Sequence, residues 1–187
     1  MSMPLPAAAD AMTAVNLPAA VRADLRTDHA GETGAVFIYA GVLRFARDPA
    51  LRRFAQHHQV TEQAHLQLIE AWLPVAERSR LLPLWRAAGW LTGALPALLG
   101  PQAVYGTIEA VERFVDEHYE TQIRQLAGRP ELQALRQVLL DCQRDEVAHR
   151  DEAAAARGSA TPGLLLRTWA WVVDTGSRAA VAVCRHL

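Results

Sequence analysis

Glu32 and Glu62-x-x-His65 in the first half of the chain are echoed by Glu112 and Glu146-x-x-His149 in the second. The lone Glu precedes its Glu-x-x-His by 30 residues in one set and by 34 in the other. Residues three apart share a helix face, so each Glu-x-x-His can bring a carboxylate and an imidazole to one point. Four carboxylates and two imidazoles supplied by four helices are the donor set of a dinuclear iron or manganese centre. The four carboxylates bring four negative charges, which two divalent ions balance. Glu62 and Glu146 are the candidates to bridge the ions, with Glu32 and Glu112 each capping one. Oxygen and imidazole donors without a thiolate argue against a zinc ribbon or an iron–sulfur cluster.

One Glu-x-x-His is weak evidence in a chain with seven histidines, but its surroundings strengthen it. Phe54, Leu66 and Ile69 flank the first pair; Leu135, Leu139 and Val147 flank the second; Ile108 and Val115 share the face of Glu112. Carboxylates on core-facing stripes are costly unless they are paired or metal-bound. Glu32 stands in the small-residue stretch Ala30-Gly31-Glu32-Thr33-Gly34-Ala35, where helices can approach closely. Tyr39 follows Glu32 by seven residues and Tyr119 follows Glu112 by seven, so each tyrosine should share the face of its Glu. The halves therefore read as a duplicated helical hairpin, offset by about 80 to 84 residues. The bland alternative is two ordinary amphipathic hairpins with solvated acids.

Neighbouring residues are weaker candidates. Asp145 can hold a histidine N–H and fix its tautomer, whereas the equivalent residue of the first half is Thr61, so that support is asymmetric. Tyr39 and Tyr119 are candidates for hydrogen bonds to the ligands or for passing protons or electrons. His118 is a candidate for substrate contact or proton transfer. His57 and His58 read as partly exposed helix residues, His29 as a minor metal candidate, and Cys142 as core packing.

The elements that must position these residues are helical almost throughout, with no sustained period-two alternation. Helix 1 is expected over about 20–46. Asp48-Pro49 supplies an N-cap and first-turn proline for helix 2 at about 49–73, which Pro74 ends. Helix 3 follows Gly100-Pro101 and runs to about Ala127, with Gly128 as its C-cap. Helix 4 opens at Pro130 and continues to about Arg157, where Gly158 stops it; Thr161-Pro162 starts a last, amphipathic helix over 161–187. The N-terminal residues 1–19 read as a flexible Ala/Pro-rich tail without the pattern of a signal peptide.

Between helices 2 and 3 lies an apolar insert, 81–100. From Ala87 to Ile108, 22 consecutive residues carry no charge. That length suits a membrane span, but Gly89, Gly93, Pro96 and Gly100 interrupt it. A single crossing would also put Glu62 and Glu112 on opposite sides. An interfacial or re-entrant helix is the expectation, supported by Trp85, Trp90, Trp169 and Trp171. The alternative is that insert and last helix cover the bundle or form a dimer contact. A net charge of −1 argues against nucleic-acid binding. Cys142 and Cys184 form no disulfide framework and suit a reducing compartment. No Gly-x-Gly-x-x-Gly occurs, which argues against a dedicated Rossmann nicotinamide site.

The sequence resembles the demethoxyubiquinone hydroxylase family of ubiquinone biosynthesis. The matching residues are Asp28-His29-Ala30-Gly31-Glu32, Ile38-Tyr39-Ala40-Gly41, Glu62-x-x-His65, Ala110-Val111-Glu112, His118-Tyr119 and Asp145-Glu146-x-x-His149, with Pro83-Leu84-Trp85 and Leu98-Leu99-Gly100 in the insert. The resemblance implies an all-α, ferritin-like four-helix bundle over 20–187, with the insert and the last helix added. It implies a monooxygenase that uses O2 to hydroxylate a polyprenylated methoxy-benzoquinol, with two iron ions held by Glu32, Glu62, His65, Glu112, Glu146 and His149. NADH or a separate reductase would supply electrons. Peripheral attachment to the cytoplasmic face of a bacterial inner membrane, accessory biosynthetic proteins and a homo-oligomer are compatible with it. Rival readings are a ferritin-like iron-storage or peroxide-detoxifying protein and a metal-free, membrane-associated helical scaffold.

Overall fold

The computed structural model describes residues 17–159 and 163–186. Most of the expected N-terminal tail and the Thr161-Pro162 helix start lie outside the described residues. Within them the chain is all-helical: α1 Ala19–Phe45, α2 Pro49–Trp72, α3 Leu82–Leu99, α4 Pro101–Leu126, α5 Gln133–Arg157 and α6 Leu164–Cys184, with short 3-10 turns at Val75–Glu77 and Pro130–Leu132.

The helix boundaries follow local chemistry. The Asp48 carboxylate accepts from the Leu51 N–H at 2.7 Å, so the three-residue turn after α1 opens α2 directly. Arg52, one turn on, donates back to the carbonyls of Leu43 and Ala46 at 2.9 and 3.1 Å, satisfying the end of α1. Gly100 alone separates α3 from α4, at φ 108°, a conformation that L side chains resist. Gly158 ends α5 at φ 72°.

α1 packs against α2, and α4 against α5, giving the two hairpins that the duplicated ligand pattern requires. Two apolar cores close the ends of the assembly. One gathers Val42, Leu51, Phe54, Val104 and Ile108; the other gathers Leu25, Ile69, Leu73, Leu135 and Leu139. The acidic residues of interest lie in a buried polar layer with these.

The insert differs from expectation. Gly89, Gly93 and Pro96 do not interrupt it, for α3 is one continuous helix through Pro96; Gly100 does, and the uncharged run is divided there between α3 and α4. Gly89 and Gly93 instead let α3 lie directly on α1. A Cβ at Gly93 would sit 1.9 Å from the Ile38 carbonyl oxygen, and one at Gly41 would sit 2.1 Å from that of Trp90. Among the described residues no helix is long and apolar enough to cross a membrane. α6 packs on α4, where the Trp169 indole N–H donates to Thr107 Oγ1 at 3.0 Å. Of the four tryptophans named above, Trp171 alone is largely exposed.

Candidate metal centre

α1 contributes Glu32, α2 contributes Glu62 and His65, α4 contributes Glu112, and α5 contributes Glu146 and His149; all six are buried. They form two overlapping groups, Glu32/Glu62/His65/Glu146 and Glu62/Glu112/Glu146/His149. Within each group one donor atom per residue lies within 4.8 Å of the others. Glu62 and Glu146 belong to both. His65 Nδ1 lies 3.0 Å from Glu146 Oε1 and 3.7 Å from Glu62 Oε2; His149 Nδ1 lies 3.1 Å from Glu62 Oε1 and 3.2 Å from Glu146 Oε2.

The electrostatics are those of crowded, desolvated acids. Burial, then the neighbouring Glu146, pushes the Glu32 carboxyl well above its usual range; the same two causes, with Glu62, act on Glu112. Burial opposes ionisation of Glu62 too, but its contacts with His149 and His65 win and hold it at about 2. Burial works against a charge on His149, yet Glu146 and Glu62 outweigh it and raise the ring to about 9. Glu32 Oε2, Glu62 Oε1, Glu146 Oε2 and His149 Nδ1 are buried without hydrogen-bond partners. Buried acceptors are rarely left so. Their concentration at one centre fits cations held there, and the oxygen-and-imidazole donor set fits iron or manganese.

The flanking residues sort themselves by side. Tyr39 donates to Glu112 at 3.3 Å, and Tyr119 donates to Glu32. Each tyrosine thus serves the carboxylate of the other half, a crossing that linear spacing does not reveal. Asp145 Oδ2 lies 3.2 Å from His65 Nε2, so it supports the histidine of α2 and not that of its own helix. His118 Nε2 meets Asp28 Oδ1 at 2.9 Å, with Thr27 and Gln122 beside it.

One expectation for a histidine is corrected. His58 is fully buried: its ring lies 4.0 Å from those of His149 and Phe54, and Nε2 is 3.0 Å from Glu152. Burial, then the neighbouring His149, lowers it to about 4. His57 is exposed. His58 lies four residues before Glu62, one turn along the same face, which was the available signal. His29 is buried and joins Glu70 at 3.2 Å, away from the two donor groups.

A cavity of about 350 Å³ opens beside the cluster. Glu32, Glu62, Glu112 and Glu146 border it, as do His118 and Tyr119; α3 adds Trp85 and Gly89, and α6 adds Val173 and Gly176. Tyr39 and Asp145 do not line it.

All-helical over its described residues, with this doubled Glu/His set buried beside an apolar cavity, the chain falls in the class of helical proteins whose interior is compatible with a metal site next to an organic ligand. Within that class, the chain belongs to the family described as ubiquinone biosynthesis protein COQ7, whose model matches residues 19–184. It is 34% identical over 168 residues to the mitochondrial NADPH-dependent 3-demethoxyubiquinone 3-hydroxylase of Mus musculus, covering 87% of this chain and 76% of the relative. It is 34% identical over 167 residues to the 3-demethoxyubiquinol 3-hydroxylase of Rhodospirillum rubrum, with the same coverage. The Caenorhabditis elegans NADPH-dependent 3-demethoxyubiquinone 3-hydroxylase is 28% identical over 181 residues, 95% of this chain and 96% of the relative.

Proposed function

We propose that this protein uses dioxygen to hydroxylate the ring of a polyprenylated methoxy-benzoquinol, a demethoxyubiquinol, at a di-iron centre in ubiquinone biosynthesis. The observation that carries this reading is the six-residue cluster opening on an apolar cavity, in a chain whose relatives are named as hydroxylases of that ring. Residues 20–187 would form one ferritin-like domain. Glu32, Glu62, His65, Glu112, Glu146 and His149 would hold the metal, with Glu62 and Glu146 as the shared carboxylates. When bound, iron supplies the electron transfer and oxygen chemistry that side chains lack.

The chain's own residues do the rest. Asp145 fixes the tautomer and direction of His65. Tyr119 and Tyr39 orient Glu32 and Glu112 by hydrogen bonds. The cavity walls exclude water from the ring, and His118 stands where it can meet a ring oxygen. A reduced nicotinamide is the proposed source of electrons, in line with the relatives' names.

A polyprenyl tail needs an apolar path. α3 exposes Leu84, Leu91, Leu95, Leu98 and Leu99, and α6 exposes Leu164, Leu165 and Trp171. Exposed apolar surface of this extent marks an interaction site. Peripheral attachment through these helices, at the cytoplasmic face of a bacterial inner membrane, would deliver the tail without exposing it to water.

The test is direct. The iron-loaded protein, given a demethoxyquinone, a reductant and oxygen, should yield a product heavier by one oxygen atom, and His149→Ala should abolish it. Iron uptake into the protein with no oxygenated product would support iron storage instead.

A further inference from the structure

The duplicated halves allow each residue around one histidine ligand to be compared with its counterpart around the other. Glu62 and His65 correspond to Glu146 and His149 at an offset of 84 residues. The same offset pairs Thr61 with Asp145, His58 with Cys142, and Leu68 with Glu152. The two surroundings therefore differ at every one of these positions. His65 has Asp145 on its outer nitrogen at 3.2 Å, and the apolar pair Cys142 and Leu68 stands where the other half has His58 and Glu152. His149 has Thr61 where His65 has Asp145, and among the described residues no carboxylate hydrogen-bonds its outer nitrogen. Instead the fully buried His58 ring lies 4.0 Å from the His149 ring and 4.0 Å from Phe54. His58 cannot swing freely, because Glu152 Oε2 on α5 holds its Nε2 at 3.0 Å. Glu152 itself is half-exposed, with 55% of its side chain accessible.

We propose that His58, anchored by Glu152, is a positioning residue for His149, so that the two metal positions are braced by different groups and bind with different strength. It rests on reading the six-residue cluster as a dinuclear iron site. The direction of a metal-bound imidazole is set by whatever fixes its remaining faces. At His65 that is a carboxylate on the outer nitrogen. At His149 it is an aromatic ring face held from across the α2–α5 interface. A buried imidazole between Phe54 and His149, tied to a surface carboxylate, has no packing purpose that an aliphatic residue would not serve better; Cys142 and Leu68 are that apolar solution in the other half.

Anaerobic titration of the full chain with ferrous iron, followed by near-infrared circular dichroism, tests this without turnover. The wild-type chain should take up two ferrous ions in two separable phases. Glu152→Ala releases the anchor from the surface without opening the core. It should weaken one phase on the order of 10- to 100-fold and shift one set of bands, leaving the other. His58→Leu should do the same to the same phase. Glu152→Gln keeps an acceptor for the ring and should restore wild-type binding. Asp145→Ala, which removes the acceptor from His65, should weaken the opposite phase. Two wild-type phases with unchanged bands in both Glu152→Ala and His58→Leu would overturn the proposal while leaving the dinuclear reading intact. So would equal weakening of both phases in all three weakening variants. A wild-type chain that takes up no pair of ferrous ions would overturn the dinuclear reading and this proposal together.

Discussion

At the scale of single residues, the tyrosines divide by what they touch. Both donate to a buried carboxylate, but Tyr119 also borders the cavity and Tyr39 does not. In the iron-loaded protein both acceptors would be carboxylates, and a hydrogen bond to a charged group contributes roughly 1.5–3 kcal/mol. Tyr39→Phe and Tyr119→Phe should each lower thermal stability by an amount of that order, whereas only Tyr119→Phe should raise KM for the quinol. Equal KM changes in both would show that the cavity is not the substrate site. His118 sets a second prediction. Burial disfavours its charge, but Asp28 at 2.9 Å outweighs that and raises the ring above its ordinary 6.5, with Asp24 helping and Arg185 opposing. A raised folded value means its contribution to stability is complete below pH 6.5 and fades as pH rises through the raised value. The melting-temperature gap between wild type and His118→Gln should therefore be wider at pH 6 than at pH 9. A gap that does not vary with pH would mean the ring is neutral in the fold.

At the scale of elements, α3 is held to α1 by contact that only glycine permits. Any side chain at Gly93 meets the Ile38 backbone. Backbone cannot rotate aside as a side-chain tip can, so Gly93→Ala must separate the helices. Overpacking of this kind costs about 1–3 kcal/mol, which should appear as a lowered urea midpoint. Gly176→Ala, inside α6 where an added Cβ meets nothing among the described residues, should not lower the midpoint. The four ligand-bearing helices were legible in the sequence because punctuation and function coincide there: Asp48-Pro49 and Gly128 sit where the two hairpins turn, and Gly100-Pro101 and Gly158 bound the second hairpin. The insert was legible as apolar, but the sequence left open whether it covers the bundle or faces a membrane. Gly89, Gly93 and Pro96 carry the same letters whether they break a helix or flatten its contact face, and only the partner helix decides. His58 was misread for a related reason. Two adjacent histidines point about 100° apart on a helix, and composition does not say which one faces inward. The crossed tyrosines escaped because a seven-residue spacing fixes a face but not which neighbouring helix lies across from it.

At the scale of the molecule, the cluster sets a conflict between fold and function that metal resolves. Four carboxylates are buried among two apolar cores, and burial together with mutual repulsion raises Glu32 and Glu112 far above the usual range. Without metal, these two and His149, raised to about 9, all bind protons more tightly folded than unfolded. Groups shifted in that sense stabilise the fold at low pH and withdraw that support as pH climbs. For the carboxyls the loss begins above their ordinary 4.5, and for His149 it runs from 6.5 to about 9. Glu62, held at about 2, has the opposite sign, but its contribution is lost only in strong acid, outside that window. His58, lowered to about 4, also has the opposite sign but only below pH 6.5, so the chelated protein should melt at progressively lower temperature from pH 7 to pH 9. Divalent metal replaces the protons, so the loaded protein should show a much flatter dependence. At a hundredfold excess over Kd each bound ion adds about 2.7 kcal/mol, equivalent to roughly 5–10 °C in a chain of this size. Iron restored at pH 8 should raise the melting temperature by at least that much, and by less at pH 5, where protons already quiet the acids. Equal gains at both values would mean that the carboxylates do not share one buried site.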